Sequence, residues 1–261
     1  MLSSLPQDSN IQRKHQRTID LNADLGEGGA FDADILRIVS SANIACGGHT
    51  GDVQSMRTAV RLALANQVAM GAHPSFVDRE NFGRSPQQPD HAGLFTQLCE
   101  QVDQLRQIAK QEGGVLQHLK PHGALYNQAA HDMALGALVI RVIQHCDPQL
   151  SLVALAGSPL VRLAQAAHLH VKQEAFADRR YNSDGSLRAR SFADACIEDD
   201  EEAVQQVWNV VAQLQLRSVS GDSIKIHADT LCVHGDGAHA LHLLKAIRGK
   251  LIAQGFIISA A

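Results

Sequence analysis

The sequence predicts an α/β fold in which parallel strands and surrounding helices form one barrel. Short apolar segments typical of strands alternate with longer segments of helical spacing, and seven such pairs follow one another along the 261 residues. Parallel strands need a crossover connection, and a helix supplies it. Because no linker interrupts the alternation, one irregular seven-stranded (β/α) barrel over residues 18–261 is favoured over two smaller domains.

The elements follow in order from this alternation. Strands are expected where apolar and β-branched residues cluster between turn residues, at 18–24, 42–46, 68–72, 115–120, 151–156, 170–176 and 224–233. Helices are expected where apolar residues recur every three or four positions, at 32–40, 53–66, 92–111, 133–144, 160–167, 201–216 and 238–254. Residues 1–17 are polar and are predicted to be a flexible leader before the barrel.

Two polar stretches interrupt the regular alternation. Residues 74–89 contain three prolines and a glycine, which predicts a long loop over one end of the barrel. A similar polar stretch, residues 178–190, follows the sixth strand. Both loops come after the carboxyl end of a strand, so both are expected on the same side of the barrel.

The composition excludes several classes of partner. The 23 Lys and Arg against 27 Asp and Glu give a net charge of −4 without a basic run, so neither nucleic acid nor a membrane surface is an expected partner. The five cysteines are widely spaced without a C-x-x-C pair, and no apolar run resembles a signal peptide or membrane span. These features predict a cytoplasmic protein, and they are compatible with a small-molecule substrate and with a homo-oligomer.

The predicted strands carry polar residues at their carboxyl ends, where the functional groups of parallel barrels gather. On the first strand, the period-2 alternation places Asn22 and Asp24 on one face. On the fourth, His118, Lys120 and His122 share a parity. One such residue is usually structural, but five of the seven strands end in an acid or a histidine, which predicts a catalytic or binding site. Its further members are Glu27, Asn43, His49, His73, His234 and Asp236, whereas Asp52 is interpreted as a helix cap.

Motifs for nucleotide binding and covalent catalysis are absent from the sequence. It has no G-x-x-x-x-G-K-[ST] loop, no dinucleotide fingerprint and no G-x-S-x-G elbow. What remains is acid–base or metal-assisted chemistry by Asp, Glu, His and Lys. An Asp/His/His set is able to bind a divalent metal and activate water, and Asp24, His49 and His73 are the candidate ligands.

Six segments resemble the LamB/YcsF family, and they occur in the family's order from about residue 18 to the C-terminus. They are IDLNADLGE at 19–27, SANIACGGHTGD at 41–52, GAHPSFVDRENFGRS at 71–85, KPHGALYN at 120–127, FADR at 176–179 and CVHGDG at 232–237. The resemblance implies an irregular seven-stranded (β/α) barrel related to the glycoside hydrolase/deacetylase superfamily. This expectation agrees with the seven pairs of elements found above.

The resemblance also implies an activity. The family supplies one component of an ATP-dependent 5-oxoprolinase, a cyclic amide hydrolase that also contains partner subunits B and C. The reaction opens 5-oxo-L-proline to L-glutamate while ATP becomes ADP and phosphate. Because this chain lacks a phosphate loop, ATP is expected to be handled with the partner subunits.

With this resemblance, the candidate residues receive hypothetical roles. Asp24, assisted by Glu27, would be the general base for water. Lys120 and His122 would stabilise phosphate or oxyanion charge, and His49 or His73 would protonate the ring nitrogen. Substrate contacts are assigned to Asn22, Asn43, Arg84, Tyr126, Arg179, His234 and Asp236.

Two positions depart from the family pattern, and two other functions stay open. Gly48 and Thr50 stand where the family more often has an aromatic residue and an alanine, which predicts a wider pocket beside His49. One alternative function is a stand-alone metal-dependent deacetylase or amidohydrolase, which metal analysis and activity on N-acetyl sugars would identify. The other is a non-catalytic subunit that binds substrate for its partners, in which case strand-end variants would lose binding but no separable hydrolytic step.

Overall fold

The computed structural model describes residues 17–234 and 238–261, which form a parallel barrel with helices around it. Seven strands pair in the order β1-β2-β3-β4-β5-β6-β9, and β9 pairs with β1 to close the barrel. The predicted seven-stranded α/β barrel is therefore confirmed. The strands are β1 Arg17–Leu25, β2 Ser41–Ala45, β3 Ala69–His73, β4 Leu116–Leu119, β5 Ser151–Leu155, β6 Val171–Phe176, β7 Gln215–Arg217, β8 Ser223–Lys225, β9 Thr230–Cys232 and β10 Phe256–Ile258.

The helices lie between the strands and cover the outside of the barrel. They are α1 Asp32–Ile35, α2 Val53–Ala65, α3 His91–Gln111, α4 Gly123–His131, α5 Met133–Cys146, α6 Pro159–Ala166, α7 Asp200–Gln213 and α8 Ala238–Ala253. As interpreted from the sequence, the Asp52 carboxylate caps α2 by accepting the Ser55 N–H at 2.8 Å. None of the described helices is long and apolar enough to cross a membrane.

Three predicted elements were wrong in their extent. The helix expected at 32–40 has only four helical residues, α1. The helix expected at 201–216 ends at Gln213, because Leu214 adopts a left-handed conformation with φ of 54° and the following residues form β7. The strand expected at 224–233 is two strands, β8 and β9, because β8 leaves the barrel and pairs with β7. The sequence interpretation also missed α4 and β10, which pairs with the first residues of β1.

The two predicted loops both lie at the carboxyl end of the barrel strands. Residues 74–89 form neither helix nor strand, and Arg79 fastens them to the loop after β2 by donating to the Gly47 and Gly51 carbonyls at 2.8 and 2.9 Å. Residues 178–190 form no helix or longer strand, and two isolated bridges join Tyr181 to Leu187 and Arg179 to Cys196. The two loops therefore stand beside the barrel mouth, where the predicted site residues converge.

Candidate active site

Four titratable side chains converge at the carboxyl ends of β1, β3 and β4. One ligand atom from each of Asp24, Glu27, His73 and His122 lies within 4.8 Å of the others. Asp24 and His73 come from strand ends, Glu27 follows β1, and His122 precedes the first residue of α4. This cluster contains four of the six residues predicted to be catalytic, and the other two, Lys120 and His49, contact it.

Backbone carbonyls fix the orientation of the two imidazole rings. His73 Nδ1 lies 2.7 Å from the Lys120 carbonyl oxygen, and His122 Nε2 lies 2.9 Å from the Phe82 carbonyl oxygen. Since a carbonyl only accepts hydrogen bonds, both of these ring nitrogens carry a hydrogen. The remaining nitrogens, His73 Nε2 and His122 Nδ1, therefore face one another at 2.9 Å.

Two neutral imidazoles held in this way would direct two lone pairs at each other, so a proton or a cation belongs between them. Burial lowers the pKa of His73, but the Asp24 carboxylate outweighs burial and the net pKa is raised. Burial, and then the charge on His73, lowers the pKa of His122. In the protein alone, His73 is therefore the protonated ring, and it donates to His122.

Lys120 lies below these histidines and is almost fully buried between carboxylates. Its Nζ is 2.9 Å from Asp24 Oδ1, 2.9 Å from Glu174 Oε1 and 3.2 Å from Cys232 Sγ. Burial would lower the pKa of Lys120, but the Asp24 carboxylate, with the smaller effects of Cys232 and Glu174, raises it well above its ordinary value. The ammonium is therefore a fixed positive charge and not a base.

The same pairing keeps Asp24 ionised. Burial would raise the pKa of this carboxyl, but the positive charges of His73 and Lys120 hold it well below its ordinary range. Asn43 Nδ2 also donates to Asp24 Oδ1 at 2.9 Å. Asp24 is therefore a charged carboxylate at neutral pH, held in place from two sides.

Asn22 and Asn43 form the layer beneath Asp24. Asn43 Nδ2 also donates to Asn22 Oδ1 at 2.8 Å, and Asn22 Nδ2 donates to Glu174 Oε1 at 3.0 Å. His118 Nε2 contacts Asn43 Oδ1 at 2.8 Å. Both asparagines are fully buried, neither lines the cavity above the site, and their side chains contact the charged groups Asp24 and Glu174.

His49 is also buried, and both of its ring nitrogens already have partners. Nδ1 is 3.0 Å from Ser75 Oγ, and Nε2 is 3.0 Å from Glu27 Oε1. Burial, then the charge on His73, lowers the pKa of His49 to about 3. His49 stacks on His122 with ring centroids 3.6 Å apart, so its geometry fits a positioning role beside the cluster of Asp24, Glu27, His73 and His122 rather than inside it.

The loop at residues 74–89 seals this side of the site at Phe82 and Gly83. Phe82 has a φ of 54°, a conformation that costs a non-glycine residue about 1 kcal/mol or more, and its carbonyl is the group that orients His122. A Cβ at Gly83 would lie 2.8 Å from His49 Cβ and 2.9 Å from His122 Cδ2. The strained backbone and the missing side chain let the loop approach both rings closely.

A cavity of about 360 Å³ opens above the site. Asp24, His73, Lys120 and His122 form its floor, and among the described residues that line it Asp24 is the only acid. Its walls include three residues predicted to bind substrate, Arg84, Tyr126 and Arg179, and a fourth, His234. Predicted residue Asp236 lies outside the described residues.

His234 forms a dyad with a residue that the sequence interpretation missed. Its Nδ1 is 3.1 Å from the carboxylate of Asp178, which follows β6, and its ring stacks on Phe176 with centroids 5.2 Å apart. Burial raises the pKa of Asp178, but the contact with His234 outweighs burial and lowers it. Because His234 lines the cavity, a histidine oriented by a carboxylate faces the bound substrate.

Glu174 is the second residue that was missed. It lies inside β6 and is fully buried. Its carboxylate forms an ion pair with Lys120 and accepts a hydrogen bond from Asn22. The available signal was a charged residue in the strand segment VKQEAF, two positions before Phe176 and therefore on the same face. The sequence interpretation overlooked Glu174 because it considered polar residues at the carboxyl ends of the strands, and Glu174 lies before the end of β6.

Comparison with known proteins identifies the family. A model of the LamB/YcsF family matches residues 19–261. The chain belongs to the LamB/YcsF family. It is 50% identical over 243 residues to the A component of 5-oxoprolinase from Erwinia tasmaniensis, covering 93% of this chain and 99% of that protein.

Solved structures resemble this LamB/YcsF protein along most of its length. The lactam utilization protein from Thermus thermophilus superposes with a TM-score of 0.86 at 36% identity, over 94% of this chain and 100% of the other. Peptidoglycan deacetylase PdaC from Bacillus subtilis has a TM-score of 0.51 at 13% identity, over 95% of this chain and 89% of the other. The second likeness concerns the fold alone and agrees with the predicted deacetylase-like barrel.

The structure contradicts the wider pocket predicted where this LamB/YcsF chain has Gly48. A Cβ added at Gly48 would lie 2.5 Å from both Gln101 Oε1 and Ser75 Oγ. Gln101 accepts the Ser75 N–H at 3.0 Å and donates to the Ser75 carbonyl at 2.9 Å, so these two side chains are fixed. The space of an aromatic side chain is therefore already filled, while Thr50 lies in a turn in which its carbonyl accepts the Gly47 N–H.

We expect Gly48→Ala to destabilise the protein by about 1–3 kcal/mol, the usual cost of overpacking a tight interior. Thermal unfolding of the purified chain checks this. Gly249→Ala is the matched control, because Gly249 lies within α8 and a Cβ there would meet nothing within 4 Å. The control is expected to be neutral or more stable by up to about 1 kcal/mol. Equal melting temperatures for Gly48→Ala and the wild type would mean that Gln101 and Ser75 move aside.

Proposed function

We propose that this chain is the component of an ATP-dependent 5-oxoprolinase that opens the lactam ring of 5-oxo-L-proline to give L-glutamate. The observation that carries the proposal is the ionised Asp24 carboxylate, which is held by Lys120 and His73 at the floor of a cavity of small-molecule size. The names of the Erwinia and Thermus relatives support the same substrate class.

An unactivated lactam is a poor electrophile because amide resonance makes its carbonyl carbon less reactive toward water. We propose that ATP first phosphorylates the lactam oxygen on partner subunits B and C, since this chain has no phosphate loop. Water then adds to the ring carbon, the C–N bond breaks, and the nitrogen leaves as an amine. The product of this step is an acyl phosphate, and a second water releases phosphate and completes glutamate.

The described residues suit these steps. Asp24 takes a proton from the attacking water, and Glu27, 3.0 Å from His49 and 3.5 Å from His122, holds the histidine cluster in place. The Lys120 ammonium offsets the negative charge that develops on the substrate oxygen. His73, whose pKa is raised by Asp24, adds positive charge on the same side of the cavity.

We assign protonation of the ring nitrogen to His234 rather than to His49. Both nitrogens of His49 are occupied, and its side chain does not line the cavity. His234 lines the cavity, and Asp178 holds its Nδ1. The Asp178 contact fixes the ring and leaves Nε2 to deliver a proton as the C–N bond breaks.

Replacing His234 with glutamine is therefore expected to lower the rate of glutamate formation by about 10²–10⁴-fold, the usual contribution of a general acid. Asp178→Asn should have a smaller effect, because the imidazole stays in place but loses its carboxylate partner. The measurement is the initial rate of the assembled enzyme at saturating ATP. His170→Gln, at an exposed histidine before β6, is the control. A His234→Gln enzyme with the control's rate would return the acid role to His73.

The cluster at the cavity floor also fits a divalent cation. Its donor set is two imidazole nitrogens and two carboxylates, and the opposed lone pairs of His73 and His122 need a positive centre. Asp24, Glu27, His73 and His122 would hold the ion, so His122 and Glu27 replace His49 among the predicted ligands. A bound cation would supply Lewis-acid activation of water.

Reconstitution tests the proposed function directly. The chain is mixed with candidate B and C subunits, and glutamate is measured from 5-oxoproline with and without ATP. Glutamate is expected only when all three subunits and ATP are present. Ring opening without ATP would overturn the activation step, and its absence from every mixture would overturn the proposed substrate.

The cation-binding cluster favours one competing function, a stand-alone metal-dependent deacetylase. Metal content of the purified chain and its activity on simple N-acetyl sugars, before and after chelation, separate the two functions. Deacetylation that is lost on chelation and restored by Zn²⁺ would favour the deacetylase. No activity on these sugars, together with ATP-dependent glutamate formation, would favour the 5-oxoprolinase.

A further inference from the structure

The outer wall of the cavity is formed by the loop after β6, and this wall is rich in arginine. Arg179, Arg188, Ala189 and Arg190 all line the cavity. Asp24 is the only carboxylate among the described lining residues, and Lys120 already neutralises it. Among the described lining residues, no acid is therefore left to match the positive charge of the arginines.

The hydrogen bonds of these arginines leave positive charge unmatched. Arg188 Nε pairs with Asp194 at 2.6 Å, whereas Arg179 donates to the carbonyls of Ala195 and Arg188 at 3.3 and 2.6 Å. Arg190 contacts Cys196 Sγ at 3.8 Å. Within residues 17–234 and 238–261, no salt bridge joins an acid to Arg179 or Arg190.

Burial makes this unmatched charge costly. Arg179 is only 3% exposed, and burial followed by the like charge of Arg190 lowers its pKa. An ion in that position is unfavourable unless a counter-ion compensates for its lost hydration. The exposed Arg190 adds like charge to the buried Arg179, and an anionic ligand in contact with both would offset this repulsion.

The size of the cavity points to a ligand larger than the lactam alone. Its volume of about 360 Å³ is within the range of sites for drug-sized ligands, whereas 5-oxoproline is one small ring with a carboxylate. The reactive groups lie on the floor and the arginines lie on the wall. A phosphorylated lactam carries a second anionic group besides its carboxylate, and such a group would match the charge of the arginines.

We propose that Arg179 and Arg190, with Arg188 beside them, form a phosphate subsite that holds the phosphoryl group of an activated lactam while its ring is opened. This inference rests on the proposed function and specifies the substrate of this chain as a phosphorylated lactam. Guanidinium groups bind phosphate oxygens with paired, charge-assisted hydrogen bonds. The subsite holds the phosphoryl group, which stays on the lactam oxygen, while the bond between the carbonyl carbon and the ring nitrogen breaks.

The test measures binding of inorganic phosphate to the full chain alone, by calorimetry and by thermal shift at constant ionic strength. Phosphate is expected to bind and to raise the melting temperature, and Arg190→Gln is expected to weaken binding by about 10–100-fold. Arg188→Gln should weaken it less, because Asp194 already offsets that charge. Arg162→Gln, at an exposed arginine outside the cavity, should change nothing.

Two results would overturn the subsite. One is a wild-type chain that phosphate neither binds nor stabilises, and the other is an Arg190→Gln chain that binds phosphate as tightly as the wild type. Because this measurement needs no turnover, it is independent of the reconstitution experiment. If glutamate forms with partner subunits but Arg190→Gln leaves phosphate binding unchanged, the subsite fails and the proposed function stands. If arginine-dependent phosphate binding occurs without glutamate formation, the proposed function fails instead.

Discussion

Replacing Asp24 with asparagine is expected to reduce ATP-dependent glutamate formation by about 10²–10⁴-fold, the usual contribution of a general base. Asparagine has the shape of aspartate and its carbonyl oxygen can still accept the Asn43 and Lys120 hydrogen bonds, both 2.9 Å long. What is lost is the charge and the capacity to take a proton from water. The measurement is the initial rate of the assembled enzyme at saturating 5-oxoproline and ATP.

The control for this variant is Asp34→Asn, at an acid on α1 that pairs with Arg37 at the surface. It should keep the wild-type rate, because exposed ion pairs contribute little to stability and this one lies outside the cavity. Thermal unfolding of Asp24→Asn is compared with the wild type to exclude loss of fold. A folded Asp24→Asn enzyme with undiminished turnover would remove Asp24 from the base role.

The local part of the site was predictable from the sequence because it depends on short-range geometry. Strand periodicity places Asn22 and Asp24 on one face of β1, and both are found inside the barrel, with Lys120 Nζ 2.9 Å from Asp24. The carboxyl ends of parallel strands share one end of a barrel, so Asp24, His73 and His122 could be expected to meet. The structure confirms that these side chains converge.

The partners that set charge were harder to predict, because they come from strands that are distant in the sequence. Glu174 meets Lys120 across the interior, between β6 and the end of β4, and no local pattern specifies which strands face each other. Asp178 meets His234 only because β6 and β9 are neighbours, an order that depends on β7 and β8 leaving the barrel. Sequence periodicity gave the face of each residue but not its partner.

The direction of each histidine depends on contacts that have no sequence pattern. The proton on His122 Nε2 is set by the Phe82 carbonyl, and that carbonyl is available only because Phe82 has a positive φ. Gly83 allows the same loop to reach His49, and Gln101 fills the space that Gly48 leaves. Loop conformation and side-chain packing, rather than residue type, therefore decided which histidine faces the cavity.

Lys120→Met is expected to destabilise the fold by about 3–5 kcal/mol at neutral pH, the usual effect of removing one partner from a buried ion pair. The variant leaves the Asp24 and Glu174 carboxylates without the ammonium that lies 2.9 Å from each. It should also abolish glutamate formation. Urea unfolding at several pH values measures the stability, and Lys245→Met, far from the cavity, is the control.

The pH dependence distinguishes lost charge pairing from lost packing. In the wild type the pKa of Asp24 is below its ordinary value of 3.8, so its contribution to stability is present above that pH and is lost as the pH falls through the folded-state pKa. Without Lys120, burial raises the pKa of Asp24, and the folded variant takes up protons as the pH falls. The stability difference between the two proteins should therefore narrow on acidification, and Lys120→Met with Glu174→Gln should recover part of the loss at neutral pH. A difference that stays constant with pH, or a double variant no more stable than the single one, would mean that Lys120 acts through packing.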